Sequence, residues 1–175
     1  MTIRRLLPDD AAAYRELMLD AYVANDSAFT STVEERKKLP LAWWAGRLEP
    51  GNAAEEMVFG AFEGERLVGV AGIGFNDRQR IRHKANLFGL VVRPECARRG
   101  HGRALIDATL HAARERDGVQ LIQLTVTKGN HAATLLYAAM GFRHFATEPH
   151  AVVIDGVLKD KLHLWRPVQL NASTQ

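Results

Sequence analysis

The chain has 175 residues, 47% of them hydrophobic and 25% charged, with a formal net charge of +3. Such a chain is long enough to bury a core of its own, which excludes the apolar-poor, highly charged class of disordered segments. One cysteine, Cys96, allows neither an internal disulfide nor a cysteine-based zinc site, and the small positive charge does not by itself argue for nucleic acid.

Thr2 to Leu7 reads as a short strand. Pro8-Asp9-Asp10 then interrupts any apolar run, so neither a signal peptide nor a membrane span is expected, and the expected location is the cytoplasm. Asp9 or Asp10 is placed to cap a helix reaching about Val23. A second helical region, Val33 to Leu48, is interrupted at Pro40, and its Trp43 and Trp44 read as packing with one side open. Met57 to Phe62 and Leu67 to Phe75 are apolar runs joined by Glu63-Gly64-Glu65-Arg66, the pattern of an antiparallel hairpin. A third run, Ala85 to Val92, follows the basic stretch Arg78 to Lys84.

The order then changes. Arg103 to Arg116 repeats apolar residues at helical spacing, Leu121 to Val126 alternates as a strand, and Asn130 can cap a helix that ends at Met140-Gly141. Phe142 to Thr147 and Val157 to Pro167 supply two last strands. The sum is an α+β architecture with a mixed sheet inside and helices outside. The seven histidines, His101, His111 and His163 among them, show no ligand spacing, so no metal site is expected.

The stretch with the most chemistry in it runs from Leu87 to Ala104, a strand entering a basic, glycine-containing turn that opens a helix. The first amides of a helix lack intrahelical partners and carry the positive end of its dipole, so this turn suits a phosphate. A P-loop needs Gly-Lys-Ser/Thr, but Gly102 is followed by Arg103-Ala104. A dinucleotide fingerprint needs a small residue where Leu105 stands. An uninvolved turn stays open on the glycines alone.

Arg98-Arg99-Gly100-His101-Gly102, followed by an amphipathic helix, resembles the acetyl-CoA signature of the GNAT superfamily of N-acetyltransferases, Gln/Arg-x-x-Gly-x-Gly/Ala. The Gln/Arg position falls on Ala97, one place before arginine. Asn130 to Phe142 is similar to the same family's Asn-x-x-Ala-x-x-Leu-Tyr-x-x-x-Gly-Phe segment. The resemblance implies a GNAT-like fold with a central, mostly antiparallel mixed sheet of about seven strands flanked by about four helices. It also implies one domain over residues 1–170, with a polar tail at 171–175.

Carried over residue by residue, the resemblance implies that Leu90, Val91 and Val92 offer backbone groups to the pantetheine arm of acetyl-CoA. Arg98, Arg99, Gly100, His101, Gly102, Arg103 and Ala104 would surround the diphosphate. Asn130, with Ala133 beside it, would meet the cofactor arm, and Tyr137 would give a proton to the departing sulfur. A phenol of pKa about 10 then faces a thiolate whose parent titrates near 8.5. The amine would attack the thioester directly, with the backbone near Val91 and Val92 on the oxyanion. A covalent route through Cys96 lacks an identifiable base.

For the base that deprotonates the amine, Glu148 ranks first, ahead of His83, Glu34 and Glu35. Ala28 to Glu35 and Thr147 to His150 resemble acceptor-side pieces of one bacterial GNAT group. The expected partners are acetyl-CoA and a primary amine of a small molecule or peptide, without nucleic acid or membrane. A homodimer is left open. Two other classes stand beside the enzyme: an acetyl-CoA-binding sensor without turnover, against which Tyr137 speaks, and nucleic-acid binding through Arg78 to Lys84, which lacks interleaved aromatics.

Overall fold

Alternating apolar positions along the strands give two buried faces to one sheet, and the helices divide between them. In the computed structural model, which describes residues 1–169, the elements are β1 (Thr2–Arg5), α1 (Ala11–Ala24), α2 (Val33–Lys37), α3 (Leu41–Gly46), β2 (Glu56–Glu63), β3 (Arg66–Gly74), β4 (Lys84–Val92), α4 (His101–Glu115), β5 (Leu121–Thr127), α5 (His131–Ala139), β6 (Arg143–Ile154) and β7 (Val157–Pro167). The sheet order is β1-β2-β3-β4-β5-β7-β6, antiparallel throughout except for the β4–β5 pair. That pair is parallel because α4 forms the crossover between its strands. The tail expected at 171–175 lies outside the described residues.

On one face Leu17 and Met18 of α1 and Trp44 of α3 pack on Val58 and Val70. On the other, Ile106 and Leu110 of α4 and Tyr137 of α5 pack on Met57, Ile73 and Ile122. Met57 and Val58 are neighbours in sequence yet belong to opposite cores, as the two-residue strand period demands.

Three differences from the sequence reading have local causes. The interruption expected at Pro40 splits the region into two separate helices, α2 and α3, so the described residues hold five α-helices where about four were expected. Asp10 does not cap α1: its carboxylate accepts from the Leu7 amide at 2.9 Å and takes both guanidinium nitrogens of Arg4 at 2.7 Å. β6 runs on through Glu148-Pro149-His150 to Ile154, because two residues bulge out between Glu148 and Val152 and the His150 amide finds Asp160 at 3.2 Å.

The Arg4 hydrogen bond, with the Leu7 amide adding to it, holds the Asp10 carboxyl below its ordinary value. Asp10→Ala is expected to lower the unfolding free energy by about 1 kcal/mol. A depressed folded-state pKa means this contribution is complete at neutral pH and is lost as pH falls through the folded value. Urea unfolding should therefore show the gap between wild type and variant closing in acid.

Candidate active site

β4 and β5 pair only from Lys84–Asn86 against Leu121–Gln123, and beyond that point they part. The cause lies on the other side of β4. Val70 faces Val91 and Gly72 faces Phe88, so β4 carries one residue more than β3 in this interval. Gly89 absorbs the extra residue with φ +62°, a conformation that costs a side-chain-bearing residue about 1–2 kcal/mol. Gly72 is needed opposite: a Cβ there would lie 2.3 Å from the Phe88 ring. The bulge turns Leu90–Val92 away from β5, leaving their β5-side backbone groups without a ladder partner.

The chain leaves β4 through a 3-10 turn, Pro94–Cys96, and enters α4 at Gly100, whose φ is +89°. Arg98 is also left-handed, at φ +60°. Among the described residues, none of the amides from Arg98 to Arg103 donates a hydrogen bond; the first helical bond of α4 is Ala104 N–H to Gly100 C=O at 3.0 Å. A run of free amides at a helix start is an anion cradle. It is held from β2: Glu63 accepts from His101 Nε2 at 2.9 Å and from Arg99 at 3.3 Å. These contacts, His101 first, hold the Glu63 carboxyl below its usual range.

A cavity of about 700 Å³ opens over this cradle, between α1 and the splayed end of β4. Leu90, Val91, Val92, Arg98, Gly100, His101, Gly102, Arg103, Asn130 and Ala133 all reach it. Arg98 and Arg103 make no ion pair among the described residues. Asn130 caps α5 through Oδ1, which accepts from the Ala133 amide at 3.2 Å.

Other expected residues are elsewhere. Arg99 turns its guanidinium to Glu63 and the Glu95 carbonyl, off the cavity wall. Ala104 uses its amide inside α4. The His101 side chain is buried against Glu63, so only its backbone faces the cradle. The stretch Arg78 to Lys84 stands at the start of β4, about 26 Å of strand from Val92 and the turn that follows it. Glu148 lies on β6, half exposed, with His163 Nε2 at 2.9 Å, and reaches neither large cavity. Glu34 pairs with Lys37, Glu35 folds back onto the Thr32 amide, and the His83 carbonyl takes the Gln120 amide.

Tyr137 belongs to the core rather than to the wall. Its ring meets Phe142 edge-on at 5.7 Å, and its hydroxyl makes no hydrogen bond among the described residues. Burial pushes its phenol well above the ordinary value. It sits one turn after Ala133, on the same face of α5, and Leu136 between them also lines the cavity.

Sequence reasoning missed the opposite wall, Leu17, Asp20, Ala21 and Ala24 of α1. Its signal is the pair of small residues Ala21 and Ala24 on one face. Arg93 clamps that wall by pairing with Asp20 at 2.9 Å and Glu16 at 3.3 Å. A second cavity, of about 320 Å³, lies beyond Phe29 and borders β4 at Leu87–Gly89 and β5 at Thr125 and Thr127. Of the two segments, Ala28 to Ser31 reach it and Thr147 to His150 do not.

The model of the acetyltransferase (GNAT) family matches residues 12–142. The chain belongs to the GNAT acetyltransferase family. It is an acetyl-CoA-dependent N-acetyltransferase, as the family model and its named relatives agree. One relative is the ribosomal protein bS18-alanine N-acetyltransferase of Salmonella typhimurium, 30% identical over 120 residues, which cover 65% of this chain and 80% of the relative. Among solved structures, the ribosomal-protein-alanine N-acetyltransferase of Brucella melitensis superposes with a TM-score of 0.77 at 25% identity, covering 95% of this chain and 99% of its own. The yncA acetyltransferase of Salmonella typhimurium, solved with its cofactor acetyl-CoA, gives 0.79 at 23% identity over 100% of this chain and 98% of its own. The seven-stranded mixed sheet is the GNAT fold.

Gly100 at φ +89° has open space around an added Cβ, so the cost of substitution there is backbone strain alone. Gly100→Ala is expected to lower the unfolding free energy by about 1–2 kcal/mol, read from chemical denaturation.

Proposed function

We propose that the chain moves the acetyl group of acetyl-CoA to a primary α-amine by direct attack in a ternary complex. The observation that carries this reading is the run of unpaired amides from Arg98 to Arg103 beside the splayed end of β4. The amides would hold the diphosphate, with Arg98 and Arg103 adding charge at the rim. The free backbone groups of Leu90–Val92 would run alongside the pantetheine arm and place the thioester carbonyl in the gap between β4 and β5. An amide there would stabilise the oxyanion. The cofactor supplies the activated acyl group.

Tyr137 is the proposed proton donor to the sulfur. Burial keeps its phenol protonated at neutral pH, so the donor is always in the form that is needed. The same burial makes it a weak acid, and its main effect would be a hydrogen bond that strengthens as charge develops on sulfur.

The acceptor side favours an α-amine. Among the described residues, no carboxylate or histidine borders the second cavity, so none of them there would deprotonate an amine strongly. A peptide α-amine of pKa near 8 is neutral about one time in ten at pH 7 and a lysine-like amine near 10.4 about once in 2,500, with the α-amine of a free amino acid between the two because its carboxylate raises the pKa. The relatives' name also places their acceptor at an alanine.

Two measurements test the reading. Calorimetry on the purified protein should detect acetyl-CoA uptake, and Arg103→Glu should weaken it at least tenfold at low salt while leaving the unfolding midpoint unchanged. Uptake unchanged in that variant would remove Arg103 from the rim. Thiol release with an α-amine acceptor should fall about 10²–10³-fold in kcat for Tyr137→Phe, with KM for acetyl-CoA little changed. Wild-type turnover by that variant would relieve Tyr137 of its role, and uptake with no turnover for any amine would favour a sensor.

A further inference from the structure

The second cavity is cationic. Arg36 from α2, Arg47 after α3 and Lys161 from β7 all border it, and among the described residues no acidic side chain does. Among the described residues, Glu56 takes Arg47 at 2.9 Å from outside the wall, and Glu148 stands opposite Lys161 in the β6–β7 register with its carboxylate on His163. Glu34 and Glu35 are engaged on their own helix with Lys37 and Thr32. The other two cations have only neutral partners: Arg36 donates to the Ser31 hydroxyl at 2.8 Å and Lys161 donates to the Thr30 hydroxyl. Tyr14 adds no negative charge, since burial pushes its phenol up to about 12.

The cations are also held in place. Trp43 lies under both guanidiniums, at 4.9 Å from Arg36 and 5.1 Å from Arg47, and Phe88 is 5.0 Å from Arg47. Stacked guanidiniums lose little freedom on meeting an anion. Three polar atoms on wall residues are buried without a partner: Arg36 Nε, Arg47 Nε and the Thr127 hydroxyl. A wall with three cations, no carboxylate on its lining among the described residues and spare donors is unbalanced until an anion enters.

We propose that this cavity is the acceptor's anion subsite, and that the acceptor is a small amine carrying a carboxylate, of free amino-acid size. The inference rests on the acetyltransferase reading above and names the substrate class for it. Arg36 and Lys161 bind the carboxylate, with Arg47 behind them, while the amine points along Phe29 toward the gap between β4 and β5. The cavity volume, about 320 Å³, is at the lower end for small-molecule sites and suits such a ligand. The same positive field disfavours the ammonium form of the amine, which helps where no base is present. A peptide N-terminus lacks the neighbouring carboxylate and leaves the cations unmatched.

The test compares neutral-side-chain α-amino acids with their α-carboxamides, following thiol release by the full chain at saturating acetyl-CoA. The carboxamide amine is less basic and so more available, which biases the comparison against the proposal. The expected result is a kcat/KM at least tenfold higher for the acids. Lys161→Met and Arg36→Gln should each raise KM for the acid about tenfold and by more than they change KM for the carboxamide, so that the preference for the acid shrinks. Equal or faster turnover of carboxamides overturns the proposal, as does turnover confined to peptide N-termini. So does the absence of both turnover and calorimetric saturation by any acid in the presence of coenzyme A. Calorimetric uptake of acetyl-CoA, run alongside, separates the cases: uptake without acid preference sinks this inference alone, and no uptake sinks the acetyltransferase reading beneath it.

Discussion

One surplus residue in β4 governs the site. A parallel pair such as β4–β5 would ordinarily zip along its whole length, because each unmade ladder bond leaves a backbone group to be satisfied otherwise. Here pairing stops after Asn86. The bulge at Gly89 turns the end of β4 away from β5 while Val91 and Val92 stay paired with β3, and β3 permits this only because Gly72 leaves room for the Phe88 ring. The result is a gap in the middle of an otherwise continuous sheet, with strand backbone exposed on one side of it.

The two cavities inherit their character from that gap. The end of β4 feeds directly into the Arg98–Arg103 turn, so the same strand that leaves backbone groups unpaired also aims the start of α4 at the space beside them. Glu63 fixes that turn from β2 through His101 and Arg99, which explains why neither side chain faces the cavity although both lie in the motif. On the other side of Phe29 the charge reverses in function: Arg36, Arg47 and Lys161 come from three distant segments and stay near a neutral lining. One cavity is lined by amides and rim arginines suited to a diphosphate, the other by side-chain cations suited to a single anionic group.

The two motifs were legible in the sequence because each is local. Arg98 to Arg103 is a strand-turn-helix junction, and free amides at a helix start follow from helix geometry alone. Asn130 was legible as a cap for the same reason, and its Oδ1 does bond the Ala133 amide. Tyr137 was legible only as a member of a pattern, since a helical tyrosine looks the same whether it packs or acts, and its ring in fact packs on Phe142. The Glu148 expectation misplaced the residue because β6 continues past it. The strand carries a bulge just after Glu148, and Glu148 meets His163 on the neighbouring strand.

By itself the sequence determined the α+β class, the strand and helix order and the family, for each is encoded in period, capping and contiguous motif. The Arg36–Trp43–Arg47 stack, the α1 wall of the large cavity and the distance of the Arg78–Lys84 stretch from the phosphate turn were decided only by tertiary structure. Those features depend on which residues the sheet order and the β4 bulge bring face to face. Such pairings join segments as far apart as Thr30 and Lys161, and no local periodicity records them.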